Sequence, residues 1–348
     1  MWNTEHTNGR IAALDGWRCC SILLVMYGHL TRFSSIMLPF RGYEFVGVEF
    51  FFAISGFVIC LGLLREFESS GRISIASFWI RRCFRILPPL ILFLYISAWY
   101  LAIADGRSIA KAALFLCNLS ACPVEIRHTW SLAYEEQFYV LFPVTLALLL
   151  TFSKRWILLS VALIWPIFLT ALYCFEHGGL ALFLSWFELL LFGAAFALYR
   201  DQAARIVRRI GPIGLYVAVP MIFVTFVSDS RAATLITLFA HYPLIAYAVF
   251  ASTCVRTGLH PILESIPMRY LGRISYGLYL FQQPILLSGD GQGPSFYIAA
   301  VIAICVMAAF SYAFIEAPLI RFGTRLSDHI KTSARFSSVP LASSSTTF

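Results

Sequence analysis

The sequence predicts an all-α polytopic membrane protein with about ten transmembrane helices and both termini on the cytoplasmic side. Three observations carry that expectation. Of the 348 residues, 59% are hydrophobic and only 13% charged, which leaves too little polar surface for soluble domains of this size. Apolar runs of ~20 residues, the length of helix that crosses a ~30 Å hydrocarbon layer, recur along the chain. Basic residues are dense in every second connection and sparse in the others.

The first run, 14–33, follows the uncharged-to-acidic start MWNTEH, contains Arg18 and His29, and lacks a small-x-small cleavage site. It therefore reads as a retained helix rather than a removed leader. Further runs follow at 44–64, 86–104, 136–153, 156–175, 180–199, 213–228, 232–252, 274–289 and 295–319. With the N-terminus in the cytoplasm, connections on that side hold most of the 26 lysines and arginines, with clusters at Arg81, Arg82 and Arg85 and at Arg205, Arg208 and Arg209. The opposite side holds Arg32, Arg41, Arg107, Lys111, Arg127 and Arg231. The net charge of +8 is thus topogenic, and membrane lipids rather than nucleic acid are the expected surroundings.

One membrane domain is expected over 10–322, between a cytoplasmic segment 1–9 and a cytoplasmic, disordered tail 323–348 that ends in the Ser/Thr-rich FSSVPLASSSTTF. No internal repeat is visible. The longest connection, 105–135, is external and contains a short amphipathic stretch, IAKAALFLCNL, expected to lie against the bundle. The nine cysteines have no metal-ligand spacing, so no metal is expected, and most act as small hydrophobes. Cys117 and Cys122, close together in the external connection, are candidates to pair.

Ionisable residues inside apolar spans are costly and face a bundle interior or an aqueous cavity, so they mark where function is sought. Arg18 and His29 are separated by about three full helical turns, which puts both on one stripe, ~16 Å apart along the axis. A structural reading competes, in which Arg18 pairs with Asp15 at i, i+3 and His29 reaches the interface. Glu49, in GVEFFFAISGFVI, and Glu135, in TWSLAYEEQFY, stand at similar depth to His29 on the expected outer side. A carboxylate beside an imidazole fixes its tautomer and stabilises the imidazolium, as general-base chemistry requires. On the inner side FWIRRCFRILPP carries Arg82 and Arg85 at i, i+3, so both guanidinium groups leave one helix face and suit phosphate, unless they serve only as topogenic anchors. Pro88 and Pro89 are expected to break the helix just beyond. Glu316, in FIEAP, is placed to order one of these arginines or to neutralise Arg321 or Arg325.

LDGWR with the following His29, GVEFFFAISGF, RRCFRILP, TWSLAYEEQFY, LGRISYGLYLFQQP and IEAP, in this order across residues 10–322, resemble the acyltransferase-3 family of integral-membrane acyltransferases. The resemblance implies O-acyl transfer, most often of acetyl, from cytoplasmic acyl-CoA to a sugar hydroxyl of a surface polysaccharide, lipopolysaccharide, Nod factor or similar glycan, in the bacterial inner (plasma) membrane. On that resemblance Arg18 and His29 match the family's Arg/His pair, Arg82 and Arg85 its paired arginines, Glu316 and Pro318 its Glu-x-Pro, and Glu49 and Glu135 its helix carboxylates. His29, Glu49, Glu135 and Arg18 are thus the expected catalytic set, and Arg82, Arg85 and Glu316 the expected acyl-CoA site, with acetyl-CoA as donor substrate and no tightly bound cofactor. Many members have a histidine two residues before the proline of YLFQQP, where this sequence has Gln282. Many also carry a C-terminal hydrolase-like domain. The sequence leaves no room for one after the last span, so direct transfer to a glycan or lipid-linked sugar, or a separate glycan-modifying partner, is expected. A secondary transporter or lipid-linked-sugar translocase is the alternative expectation, which internal repeats would favour; a non-catalytic sensor or assembly subunit is a third. Trp130, Tyr134 and Tyr139 suit stacking on a pyranose or an interfacial aromatic belt.

Overall fold

The computed structural model describes residues 6–7, 10–33, 42–100, 106–175, 178–226, 231–289 and 292–336. Apart from a short antiparallel pairing of His6–Thr7 with Arg10–Ile11, regular structure among them is helical. The helices are α1 (Ala12–Phe33), α2 (Tyr43–Ser70), α3 (Ile75–Tyr100), α4 (Gly106–Ala113), α5 (Thr129–Thr151), α6 (Trp156–Cys174), α7 (Gly178–Leu198), α8 (Arg200–Ile210), α9 (Pro212–Thr225), α10 (Arg231–Ile236), α11 (Tyr242–Ala251), α12 (His260–Leu263), α13 (Ile266–Arg273), α14 (Ser275–Leu287), α15 (Pro294–Ser311) and α16 (Ala317–Phe336). Wider π-helical turns join α10 to α11 (Thr237–His241) and α15 to α16 (Tyr312–Glu316).

Six of the described helical segments are long and apolar enough to cross a membrane: Tyr43–Ser70, Ile75–Trp99, Trp156–Cys174, Gly179–Leu198, Ala233–Ala251 and Pro294–Thr332. The α8–α9 pair, bent by 95°, passes the same test taken together. Polar residues keep α1 and α5 short of that apolarity although both have the length, and α14 has only 13 residues.

The centre of the bundle is α2, which packs on α1, α5, α7 and α11. Its contact with α7 is close because small residues face backbone: Gly56 lies on the Leu190 carbonyl and Gly193 on the Ala53 carbonyl. Without a hydrophobic drive between helices in lipid, such close packing of small residues supplies much of the association. Gly56→Leu or Gly193→Leu is expected to destabilise the folded protein by about 1–3 kcal/mol, because a side chain has nowhere to go but into backbone; thermal unfolding in detergent reads this out. On the other side of the site, α1 packs on α14 and against α12 and α13, where Gly16 meets Leu263 and Gly272 meets Asp15.

Four expectations are corrected. The helices that carry the third and fourth apolar runs, α3 and α5, start at Ile75 and Thr129, before the runs do, so Arg82, Arg85 and Glu135 sit within regular helix. Pro88 and Pro89 do not break α3, which is continuous to Tyr100. They free the carbonyls of Phe84 and Arg85, and Tyr276 of α14 donates to the adjacent Ile86 carbonyl at 3.0 Å, so a neighbouring helix supports that turn. The segment from 323 is not a tail but the continuation of α16 to Phe336. Its inner face packs on α3: Gly323 meets Phe84, Ser77 donates to the Ser327 carbonyl at 3.2 Å, and Arg81 donates to the Ser327 hydroxyl. Residues 337–348 lie outside the described residues. Finally, the basic connection after α7 is an amphipathic helix, α8, with Ala204 and Val207 buried. In the connection between α3 and α5, α4 covers the first part of IAKAALFLCNL and stops at Ala113, and Cys117 and Cys122 form a disulfide.

Candidate functional site

Three cavities adjoin one another along the interface of α1, α2, α3, α5 and α14, called inner, middle and outer by their order from the α3 arginines to His29. The innermost, about 270 Å³, is lined by Arg81, Arg82 and Arg85 of α3, Gly62 of α2 and Thr324 of α16. Arg82 and Arg85 also line a narrow middle chamber of about 80 Å³ together with Arg18, Ser55, Glu135 and Tyr139. Val48 and Tyr279 line both that chamber and an outer cavity of about 530 Å³, which holds His29, His128, Glu44, Arg127 and Trp130. A discontinuous path thus runs from a guanidinium cluster at one end to an imidazole at the other.

At the inner end, the Arg82 guanidinium stacks 4.1 Å from the Tyr139 ring centroid, and its Nε is buried with no hydrogen-bond partner among the described residues. A planar donor held by its face, with a donor atom to spare, suits an anionic oxygen. Glu135 accepts from Ser55 at 3.0 Å and from Tyr139 at 2.8 Å. It thereby fixes the ring under Arg82 and faces the middle chamber. Glu316, at the end of the second π-helical turn, is buried and accepts from Ser311 at 3.1 Å, in electrostatic interaction with Arg85. Arg18 forms the i, i+3 pair with Asp15 at 3.3 Å, and Asp15 also meets Arg273 at 3.8 Å. Arg18 still lines the middle chamber.

At the outer end, His29 Nδ1 is 2.7 Å from Gln282 Oε1. An amide oxygen only accepts, so Nδ1 carries the proton and Nε2 is the basic nitrogen. Gln282 is fully buried, and its Nε2 has no partner among the described residues. Leaving a buried polar atom unpaired costs about 1–3 kcal/mol, which marks this corner as built for something besides packing.

A family model described as "Acyltransferase domain" (Acyl_transf_3) matches residues 11–316, which include every residue of the three cavities except Ile320 and Thr324. The chain belongs to this acyltransferase family. Among curated relatives it is similar to O-acetyltransferase OatA of Staphylococcus aureus strain NCTC 8325 / PS 47, with 29% identity over 357 residues covering 90% of this chain and 58% of OatA. A protein of S. aureus strain COL that carries a provisional O-acetyltransferase designation, SACOL0978, is 28% identical over 373 residues, with the same coverage of each chain. The chain therefore spans 58% of the length of these relatives. No solved structure matches it.

Within this family member, the expected site residues divide into three groups. Arg18, Arg82, Arg85 and Glu135 meet around the middle chamber, with Glu316 behind Arg85. His29 stands apart in the outer cavity, where its Nδ1 meets the amide oxygen of Gln282. Glu49 does not serve it: Glu49 Oε2 is 2.8 Å from His241 Nε2, and His241 Nδ1 is 3.0 Å from Thr225 Oγ1, all buried. The reason is register, since Glu49 leaves α2 on the face that meets α11, whereas Glu44 and Val48 face the outer cavity. Trp130 lines the outer cavity and Tyr139 the middle chamber, while Tyr134 packs among Phe52, Phe183 and Phe187.

Two cavity groups were not anticipated from sequence. Glu44 pairs with Arg32 at 3.7 Å at the cavity rim. His128, in the turn ahead of α5, is buried, and its Nε2 lies 3.1 Å from the Leu280 carbonyl. Burial, with His29 alongside, pushes the His128 pKa down to about 3, so the ring is neutral. A sequence signal existed: Pro284 has no N–H, so the carbonyl four residues earlier, Leu280, must find another donor.

Proposed function

We propose that the protein is a membrane O-acetyltransferase that moves an acetyl group from cytoplasmic acetyl-CoA to a sugar hydroxyl on the outer side of the bacterial plasma membrane. The observation that carries the reading is the succession of cavities from the paired arginines to His29. Phosphates of the donor would sit at Arg82 and Arg85, where guanidinium forks can engage them in bidentate fashion. The slender thioester arm suits the narrow chamber. His29 Nε2 would take the proton of the acceptor hydroxyl as its oxygen attacks the thioester carbonyl; the C–O bond forms, the C–S bond breaks, and the proton passes from His29 to the departing thiolate.

Two independent features support this orientation. The Cys117–Cys122 disulfide lies in the same connection as Arg127 and His128 of the outer cavity, and disulfides persist in oxidising compartments. Basic residues concentrate at the opposite end, as expected of a cytoplasmic face. Both support ten membrane passes with cytoplasmic termini, with α1, α5 and α14 crossing as polar, site-bearing helices. The acceptor class, a surface glycan or lipid-linked sugar, rests on the family resemblance and on the outward position this reading gives His29.

The deciding experiment is mass spectrometry of the glycans of cells with and without the gene, reading loss of the acetyl mass increment; unchanged glycans would refute the proposal. At the inner end, Arg82→Gln with Arg85→Gln is expected to raise the apparent KM for acetyl-CoA at least ~10-fold, the equivalent of ~1.4 kcal/mol, with less effect on turnover at saturation. Replacement of both by Lys is expected to recover only part of this, because a point charge does not reproduce a planar fork.

A further inference from the structure

His128 lines the outer cavity and carries a buried hydrogen-bond acceptor that no described residue uses. Within α14, Pro284 leaves the Leu280 carbonyl without its helical donor, and His128 Nε2–H supplies one at 3.1 Å. That bond decides the tautomer: with the proton on Nε2, Nδ1 is a bare lone pair. Nδ1 is buried and has no partner among the described residues, on a side chain of a residue 2% exposed. The ring cannot easily turn to relieve it. Phe93 and Tyr279 pack edge-on against it, each with ring centroids 5.4 Å away, and Tyr279 Oη donates to the His128 carbonyl at 2.6 Å. The same cavity holds His29, whose basic nitrogen is Nε2 by the parallel argument from Gln282.

We propose that His128 is a second hydroxyl-binding residue of the acceptor site, its Nδ1 accepting a hydrogen bond from an acceptor hydroxyl other than the one acylated. The inference rests on the acyl-transfer reading and deepens it. Two imidazoles in one cavity, one a base and one a fixed acceptor, call for a ligand with at least two hydroxyls in fixed relation, such as a pyranose, rather than a simple alcohol. His128 is then a binding residue that holds the acceptor still while His29 acts on its neighbouring hydroxyl. Its neutrality keeps Nδ1 an acceptor across the range in which the enzyme would work.

Two conservative substitutions separate this role from a structural one. The amide of His128→Gln reaches the position of Nε2 and can donate to the Leu280 carbonyl, but leaves nothing at Nδ1. The amide of His128→Asn falls at Nδ1 and offers an acceptor there, but loses the tie to Leu280. The full-length protein in detergent is assayed with labelled acetyl-CoA and the glycan fraction of the host cells, first deacetylated with mild base. His128→Gln is expected to raise the apparent KM for that glycan at least ~10-fold, with the KM for acetyl-CoA unchanged. His128→Asn is expected to hold the glycan KM near wild type while lowering the unfolding temperature. A glycan KM that is unchanged in His128→Gln, or that rises equally in both variants or in His128→Asn alone, would overturn the inference and leave acyl transfer standing. Wild-type protein that labels no fraction would overturn the acyl-transfer reading, and this inference with it.

Discussion

The His29→Ala protein is expected to accumulate and fold at wild-type levels and to lose acetyl transfer by ~10²–10⁴-fold, the range that a positioned general base contributes. Membranes carrying each protein, supplied with labelled acetyl-CoA, give the measurement. The fold should tolerate the change because α1 is held by α2, α13 and α14 along its length, and the bond of His29 to Gln282 is a small part of that packing. Gln282→Leu separates tautomer control from basicity. It leaves the His29 ring in place without an acceptor at Nδ1, so either nitrogen can carry the proton, and an intermediate loss of ~10-fold is expected from a missing buried hydrogen bond of 1–3 kcal/mol. Normal transfer by His29→Ala at normal abundance would remove the histidine from the chemistry and leave the cavity a binding site alone.

What could be read from sequence was what local geometry fixes. Helical periodicity alone put Arg18 and His29 on one stripe and Arg82 and Arg85 on one face; Arg82 and Arg85 line the same two cavities, whereas Arg18 and His29 line different, adjoining ones. The all-helical membrane architecture was equally legible, because an apolar run of span length has few other uses. Helix ends were misjudged where turns at the membrane edge carry charge: Arg81 and Arg82, and Glu135 and Glu136, end a hydropathy run without ending the helix. Partners across the bundle were not legible at all. Gln282 stands 253 residues from His29, and His241 stands 192 from Glu49. A carboxylate at the right depth looked like a partner for His29, but depth says nothing about which way a side chain leaves its helix. That direction depends on a one-residue register that only packing settles.

Glu49 supplies the sharpest case, and its removal is expected to have the largest effect on stability. Taking one member from a buried ion-paired or hydrogen-bonded couple leaves the other unsolvated, at a cost of ~3–5 kcal/mol. Glu49 and His241 bond at 2.8 Å between the central helix α2 and the π-helical turn ahead of α11, with Thr225 of α9 completing the chain. Glu49→Leu alone should therefore loosen three elements at once and sharply reduce the folded protein recovered in detergent. Glu49→Leu with His241→Leu should restore much of it, because a well-packed apolar pair at a buried site is often no worse than the polar one. Abundance of monodisperse protein by size-exclusion chromatography, with thermal unfolding, reads both. The pattern distinguishes this role from the one the sequence suggests. If Glu49 instead oriented His29, the single substitution would leave abundance intact and depress transfer, and adding His241→Leu would not repair it. Recovery of folded protein by the double substitution, with transfer returning in proportion, is the result that assigns Glu49 and His241 to holding the bundle around the site rather than to the chemistry within it.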